Sequence, residues 1–403
     1  MRQGAAALAL CACAAAAAAD DAADDWAAAK GSPAEAQLHR QLKEAVRTIP
    51  GTDTRYFVGG YLQLDAIAAR HRQEGDEQNT FFASATPFAP SPRDSRLSLR
   101  QSQFNWVSKT ATSAGEVWTR LEANLFPLDG KTRPELNQLH IRLDDRIVAG
   151  KTYSTFMDDA ALPTTLDYNG PGGVTFARQW LVRGSLEVSP GWRIEGSAED
   201  PQADISASGA VLGLRTEATR PDLAARLRYE GERGHIQIAG LSRRLHADLT
   251  STSGSIERKV DGEGLALSGS LPGFGDDNIL FQAAGGRGIG RYFNDPLSAT
   301  GLALSSGGQL DTVRVSGATL YYQRKWAPDW MTVAGVSTLW MGDDGLRPRD
   351  ALRRANYSSV NLIHRLSPRA IVGGELLWGE AVRVDGTSAA NARLQISLRY
   401  LIF

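Results

Sequence analysis

The chain has 403 residues, of which 44 are Lys or Arg and 45 are Asp or Glu, so its formal net charge is −1. This balance offers no global attraction for a polyanion and argues against nucleic-acid binding. The 42% of hydrophobic residues are spread along the chain without an apolar run near twenty residues, so a membrane-spanning form would need a β-barrel.

The N-terminus has the layout of a secretory signal. An apolar, Ala-rich stretch ends near Ala19, directly before the acidic pair at 20–21, and predicts a cleaved signal peptide over residues 1–19. Both cysteines of the chain, Cys11 and Cys13, lie within it. A lipoprotein anchor at Cys11 is the alternative, which the bulky Leu10 before it disfavours. A mature chain without cysteine fits an exported protein that has no disulfides.

Residues 20–50 are predicted to form a periplasmic N-terminal segment. Only Ala34–Arg47 has a helical pattern, with Leu38, Leu42 and Val46 on one stripe. The remaining residues, 51–403, are predicted to form the barrel.

Alternation of apolar and polar residues is the main signal in residues 51–403. It is clearest in Glu116–Leu125, Gln138–Asp144, Ala224–Tyr229 and Arg393–Tyr400. Successive side chains of a strand point to opposite faces, so each segment has one apolar and one polar face. Soluble sandwiches alternate too, but they rarely carry Arg on the polar face strand after strand. The pattern predicts an all-β fold, a transmembrane antiparallel barrel whose apolar face meets lipid.

Connection lengths set the predicted topology. Seven short and eight long connections alternate, which predicts sixteen strands with both chain ends in the periplasm. The long connections include Ser154–Phe176, Pro201–Pro221, Ala247–Gly262 and Val382–Ala390. The stretch Ala210–Thr216 could be a seventeenth strand; we assign it to the fourth outer loop.

The third outer loop, Ser154–Phe176, is predicted to fold inward and constrict the barrel. Its Pro and Gly residues suit a compact, fixed loop, and its acids would face a basic wall across the lumen. The alternative is a loop at the rim with solvated acids. The predicted constriction residues are Ser154, Thr155, Phe156, Met157, Asp158, Asp159 and Asp167.

Basic residues at inward strand positions would supply the opposing wall. The chain has 37 Arg and 7 Lys, and Arg can hold a carboxylate in a two-pronged hydrogen bond. The alternative is that these residues pair with lumen acids such as Glu122 and only stiffen the wall. The predicted pore-lining residues are Arg100, Arg120, Arg142, Lys151, Arg183, Arg226, Arg228, Arg314 and Arg393.

No catalytic, metal or cofactor site is predicted. The six His show no metal-binding spacing, and no nucleophile-elbow motif occurs. The segment Gly285–Gly290 lacks the context of a phosphate loop and is interpreted as a strand where walls or subunits approach closely. A hydrolase using His140 as its base is a weaker alternative.

Several stretches of the chain together resemble the DcaP-like porins. They are IPGTDTRYFVGGYLQLDAI (Ile49–Ile67), RLSLRQSQFNW (Arg96–Trp106), GKTYSTFMDDAALPTTLDYNGPGG (Gly150–Gly173), PDLAARLRYEG (Pro221–Gly231), GRGIGRYFND (Gly286–Asp295) and ARLQISLRY (Ala392–Tyr400). The resemblance implies a trimeric sixteen-stranded porin that prefers small anionic, carboxylate-bearing solutes. The chain departs from the family in its short N-terminal helical region and in having Lys151 where Gln is usual.

These observations predict a bacterial outer-membrane porin for passive uptake of small polar, anionic solutes such as dicarboxylates. Its expected partners are the lipid bilayer, two further copies in a homotrimer, the solutes, and the barrel-assembly machinery, whose substrates typically end in an aromatic residue such as Phe403. A non-conducting structural or adhesin-type barrel is the alternative.

Overall fold

The computed structural model describes residues 46–73, 81–127, 132–202, 205–207, 214–218, 220–251, 254–295, 299–304, 310–342, 345 and 347–402. Short 3-10 turns lie at Asp159–Ala161 and Gly290–Tyr292. The strands are β1 (Arg47–Thr48), β2 (Thr54–Ala69), β3 (Asp94–Ser98), β4 (Gln103–Thr112), β5 (Gly115–Asn124), β6 (Glu135–Leu143), β7 (Ile147–Tyr153), β8 (Arg178–Ser189), β9 (Trp192–Glu199), β10 (Ile205–Ala207), β11 (Leu214–Ala218), β12 (Asp222–Gly231), β13 (Gly234–Ser251), β14 (Gly254–Pro272), β15 (Asn278–Arg287), β16 (Leu302–Leu304), β17 (Leu310–Thr312), β18 (Arg314–Ala327), β19 (Trp330–Met341), β20 (Leu352–Ser367), β21 (Ala370–Arg383) and β22 (Ser388–Leu401).

Nineteen of these strands form one closed antiparallel barrel. Each pairs with its neighbours in chain order, and β22 closes the wall by pairing with β2. Three short strands extend others: β3 continues β4 along β2, β11 continues β12 along β13, and β1 follows β22 along β2. The wall therefore has sixteen strand positions, and the predicted fold class is confirmed.

The two faces of the wall differ as the alternation predicted. Leu394, Ile396 and Leu398 are about half exposed on the outer face, whereas Gln395 and Ser397 between them are buried inside. The same division holds on β8, where Val182 and Leu186 face outward. An apolar exterior around a polar interior is the arrangement of a barrel that spans a membrane. No helix among the described residues is long and apolar enough to cross a bilayer.

Two predicted long loops are wrong. The stretch Ala247–Gly262 is mostly strand, because β13 continues to Ser251 and β14 starts at Gly254. Val382–Ala390 shortens to the connection after Arg383, since β22 begins at Ser388. In both places the strands extend beyond the region where one face must be apolar, so the alternation signal fades before the strands end.

Two other predicted segments lie only partly within the described residues. Residues 214–218 form β11, which adds no seventeenth position but lengthens that of β12. The predicted helix Ala34–Arg47 lies outside the described residues except for its last two positions, of which Arg47 begins β1.

Loop segments fill part of the barrel interior. Phe156 of the loop after β7 packs edge-on against Tyr292 of the loop after β15, and both belong to a buried apolar cluster with Phe293 and Ile289. The cluster continues onto inward residues of β18 and β19 such as Val315. Three short strands, β10, β16 and β17, form a separate sheet. The interior beside β13–β19 is therefore occupied by packed side chains.

Candidate functional site: a loop folded into the lumen

The connection between β7 and β8, residues 154–177, lies inside the barrel, and we name it the lumen loop. Its first fixed point is Asp158, whose side chain is almost fully buried. The carboxylate accepts hydrogen bonds from Arg228 Nη1 at 3.0 Å and Ser268 Oγ at 2.7 Å, and His235 Nε2 lies 2.8 Å from it. These partners come from the inward faces of β12, β13 and β14.

The electrostatics at Asp158 favour its charged form. Burial opposes ionisation, but the hydrogen bond and charge of His235, the charge of Arg228 and the hydroxyl of Ser268 together lower the pKa of Asp158 well below its ordinary value. Asp158 is thus a buried, ionised anchor of the lumen loop.

Backbone contacts secure the residues just before this anchor. Glu199 of β9 accepts hydrogen bonds from Ser154 Oγ at 2.7 Å and from the Thr155 amide at 2.9 Å. The Met157 carbonyl accepts from Arg226 Nη1 at 3.1 Å and Gln237 Nε2 at 3.2 Å. The predicted residues 154–158 therefore lie against the wall of β9–β14.

The second fixed point is on the opposite side of the barrel. Asp167 forms an ion pair with Arg393 at 2.6 Å, and Tyr357 lies 3.3 Å from its other oxygen. The carboxylate of Glu375 accepts from two successive backbone amides, those of Leu166 and Asp167, each at 2.9 Å. The lumen loop thus spans from β12–β14 to β20–β22, and two of its three predicted acids, Asp158 and Asp167, are bonded to the wall instead of solvated at a rim.

The loop then passes back over β18 and β19, so close to their backbone that no side chain fits between loop and strand. A Cβ on Gly173 would clash with the carbonyl of Thr338, and one on Gly317 of β18 would clash with the carbonyl of Gly173. Further along, Thr175 donates through its amide and its hydroxyl to Gln282 of β15. Glycine at 173 and 317 is what allows this close approach of loop to wall.

Between the two anchors one stretch stays accessible. Asp159, Ala160 and residues 162–165 are partly exposed, whereas residues 154–158 and 166–167 are buried. Asp159 lies within electrostatic reach of Arg183 and Arg228. Of the three predicted acids, Asp159 is therefore the one that faces the accessible interior.

Most of the predicted basic residues lie on the inward face, and several of them pair with an acidic residue nearby. Arg120 pairs with Glu122 at 2.7 Å on the same strand. Arg142 stacks over the Trp118 ring and lies 3.5 Å from Asp145. Arg226 pairs with Glu195 of β9.

Arg100 is held differently, by the loop after β5. It donates from Nη2 to the Pro127 carbonyl at 3.0 Å and lies over the ring of Phe126. Arg100, Arg120 and Arg142 therefore do not share one set of partners, and Arg100 is buried against that loop.

Arg183 on β8 differs from the rest of this wall. Within the described residues its guanidinium has no carboxylate within ion-pair distance; its contact is the Tyr153 carbonyl at 3.5 Å, and its buried Nε has no hydrogen-bond partner. The positive charge of Arg226 repels the Arg183 guanidinium, and the carboxylates of Glu195 and Asp159 partly offset that repulsion. Arg183 therefore keeps hydrogen-bonding capacity for an anion.

Two predicted pore residues are wrong. Lys151 pairs in register with the outward residues Leu139 and Trp180, so it lies on the outer face, where Nζ donates to the Leu136 carbonyl. Arg314 is exposed and in phase with the outward Leu320. The inward face of β18 is apolar because the lumen loop and the loop after β15 pack on it, which inverts the pattern used to orient Arg314.

Several functional residues were not predicted. Arg193 of β9 lies on the inward face, 3.7 Å from Asp145. His235 and Glu375 anchor the lumen loop, and Arg243 of β13 is fully buried, pairing with Asp222 at 2.8 Å. Alternation could have placed Arg193 inward. Nothing in the sequence near His235 or Glu375 indicates a loop partner. Within the described ranges, no cluster of His, Cys, Asp or Glu could hold a metal ion.

The wall, its faces and the loop inside it define a transmembrane β-barrel with the sixteen-stranded fold of porins. Among solved structures, the outer membrane channel DcaP of Acinetobacter baumannii matches with a TM-score of 0.76 and 16% identity, over 89% of this chain and 100% of that one. The anion-selective porin from Comamonas acidovorans matches at 0.55 and 10%, over 87% and 100%. OmpF of Salmonella typhi matches at 0.52 and 8%, over 88% and 99%.

These likenesses are ones of fold. They agree with the sequence resemblance to the DcaP-like porins, whose expected sixteen-stranded architecture is the one observed. No protein-family model matches the chain, and no curated protein matches its sequence.

Proposed function

We propose that the chain is an outer-membrane porin for passive uptake of small anionic solutes that carry carboxylates. The observation that carries this proposal is the series of basic side chains on the inward faces of β4–β12. Two of them, Arg183 and Arg228, lie within electrostatic reach of Asp159 in the accessible stretch of the lumen loop, and Arg183 lacks a carboxylate partner among the described residues. The series is Lys109, Arg120, Arg142, Arg183, Arg193, Arg226 and Arg228.

The basic side chains of this wall create an electric field across the narrowed interior. Cationic groups along a lumen wall raise the local concentration of anions, and a planar guanidinium can hold a carboxylate with two hydrogen bonds. Because the interior beside β13–β19 is filled, a solute would pass between the lumen loop and the basic wall. The proteins of similar fold include an outer membrane channel of A. baumannii and an anion-selective porin of C. acidovorans, which supports a channel function for this chain.

The test is the reversal potential in a KCl gradient across a planar bilayer, for the parent and for Arg183→Gln. One unit charge about 4 Å from a solute contributes roughly 1 kcal/mol in a water-like dielectric. We therefore expect Arg183→Gln to lower the anion-to-cation permeability ratio about fivefold at 0.1 M salt. The effect should shrink at 1 M salt, where the Debye length is only about 3 Å.

Lys151→Gln is the matched control, because it removes one positive charge from the neighbouring strand but from the outer face. It should leave the reversal potential unchanged. Equal shifts in the two variants would contradict a role of Arg183 in selectivity. A parent protein that inserts without measurable conductance would instead support a structural or adhesin-type barrel.

The homotrimer, the signal peptide over residues 1–19 and recognition by the barrel-assembly machinery complete this proposal. The sequence resemblance and the residue pattern of the termini support them. In this assembly the protein needs no enzymatic step, cofactor or metal ion, since diffusion through a water-filled lumen requires only a path and a field.

A further inference from the structure

An arginine pair lies on the outer face of the wall, away from the lumen. Arg287, the last residue of β15, is directly opposite Arg314, the first residue of β18, and both are exposed. Like charges in directly opposed cross-strand positions destabilise a sheet. Neither guanidinium forms an ion pair or a hydrogen bond with any other residue of the described ranges, so the repulsion is not compensated within them.

The position of this pair along the membrane normal can be estimated from the aromatic residues of β19. Trp330 and Trp340 both face outward, near the two ends of that strand. Ten residues span about 33 Å along a strand, which at a tilt near 40° gives about 25 Å of height, the usual apolar band of such barrels. Trp340 therefore marks the end of the band at the side of the long loops.

Arg314 lies just outside this band. Its carbonyl accepts from the amide of Gly342, two residues beyond Trp340, which places it about 5 Å higher at the same tilt. This is the depth of the headgroup layer, since the polar regions add roughly 5–7 Å to each side of the hydrocarbon. Gly342 lies beside Arg314 on the outward face, where a Cβ would be 3.1 Å from the Cβ of Arg314.

The surrounding charges complete the patch. Arg354 is opposite Trp340 on β20 and lies 3.7 Å from Glu380, and Glu263 is opposite Arg287 on β14 without an ion pair between them. Among the described residues of this patch, three cations and two carboxylates leave an excess of positive charge, concentrated at Arg287 and Arg314. A phosphate group placed between the two guanidinium groups would accept charge-assisted hydrogen bonds from both and remove their repulsion.

We propose that Arg287 and Arg314 bind a phosphate of a phosphorylated glycolipid in the outer leaflet of the outer membrane. The long-loop end of the barrel faces this leaflet in the topology assigned above. The proposal rests on the outer-membrane placement in the proposed function but not on conduction, so bilayer recordings and lipid binding can fail independently.

The experiment measures lipid binding to the detergent-solubilised full chain by native mass spectrometry. The probes are bisphosphorylated lipid A, the same lipid without its phosphates, and phosphatidylglycerol. We expect the parent to retain bisphosphorylated lipid A and to bind the other two at least tenfold more weakly. Arg287→Gln combined with Arg314→Gln should weaken binding of bisphosphorylated lipid A about tenfold, as loss of charge-assisted contacts predicts.

Arg324→Gln is the matched control, because it removes an outward arginine from the same strand at the opposite membrane face. It should bind lipid A as the parent does. Unchanged binding by the double variant, or an equal loss in Arg324→Gln, would overturn the site. Equal binding of phosphate-free lipid A to the parent would overturn the role of phosphate, and equal binding of phosphatidylglycerol would overturn the choice of a glycolipid.

Discussion

Removing the charge of Asp158 should release one end of the lumen loop. Asp158→Asn keeps the size of the side chain but leaves Arg228 without its 3.0 Å carboxylate partner, while His235 and Ser268 lose the oxygen that both contact. Breaking a buried ion pair by removing one partner costs about 3–5 kcal/mol. We expect about 3 kcal/mol, the lower end, because Glu230 still lies 3.2 Å from Arg228.

The neighbouring substitution Asp159→Asn provides the matched control. It removes the same charge one residue along the loop, from a partly exposed side chain, where ion pairs contribute at most about 1 kcal/mol. The two free energies of unfolding can be compared by reversible urea unfolding in detergent micelles. Limited proteolysis then reports whether the lumen loop has become accessible.

The expected result is a large loss of stability and new cleavage within residues 154–167 for Asp158→Asn alone. Single-channel recordings should show added open-channel noise in this variant, because a loop fixed at one end would move within the lumen. Equal stability of the two variants, with the loop still protected from protease, would refute the assignment of Asp158 as an anchor.

Two further predictions concern the anchor and the outer wall. Because burial of Asp158 is outweighed by its partners, its folded pKa lies below the unfolded value of about 3.9. Its stabilisation should therefore be complete above that value and be lost only as pH falls through the lower folded pKa, so protease protection of the loop should be constant from pH 7 to pH 4.5 and decline in stronger acid. On the lipid-facing wall, Ile396→Arg should cost about 2–4 kcal/mol of folding free energy in lipid vesicles, whereas Ile396→Val should cost about 0.5–1.5 kcal/mol. Equal costs would contradict the orientation of β22.

The barrel could be predicted because its signal is local. A strand with lipid on one side and a polar lumen on the other must alternate, and Arg393–Tyr400 shows this within eight residues. The inward polar residues should tolerate substitution less well than the alternation pattern alone suggests. Gln395 and Ser397, at polar positions of that strand, are buried and both donate hydrogen bonds to Asp65 of β2.

The contacts of the lumen loop could not be predicted, because they join distant parts of the chain. Asp158 meets His235 across 77 positions, and Leu166 meets Glu375 across 209. An acidic loop and an inward carboxylate are visible in the sequence, but which amide a given carboxylate accepts depends on the folded path of the loop. The wrong prediction that Arg314 faces inward has the same origin, because packing of the loop makes the inward face of β18 apolar.

Glycine links the path of the loop to the side of the barrel that stays accessible. Gly173 and Gly317 allow backbone contact between the lumen loop and β18, and Gly264 lies where a Cβ would press on Phe156 and Ile289. With the loop packed against β13–β19, Arg142 of β6 and Arg193 of β9 remain partly exposed on the inward face. In the proposed pore, the glycines of one wall would bring a solute that passes the loop to the arginines of the other. Selectivity of the proposed pore would then depend on close packing as much as on charge.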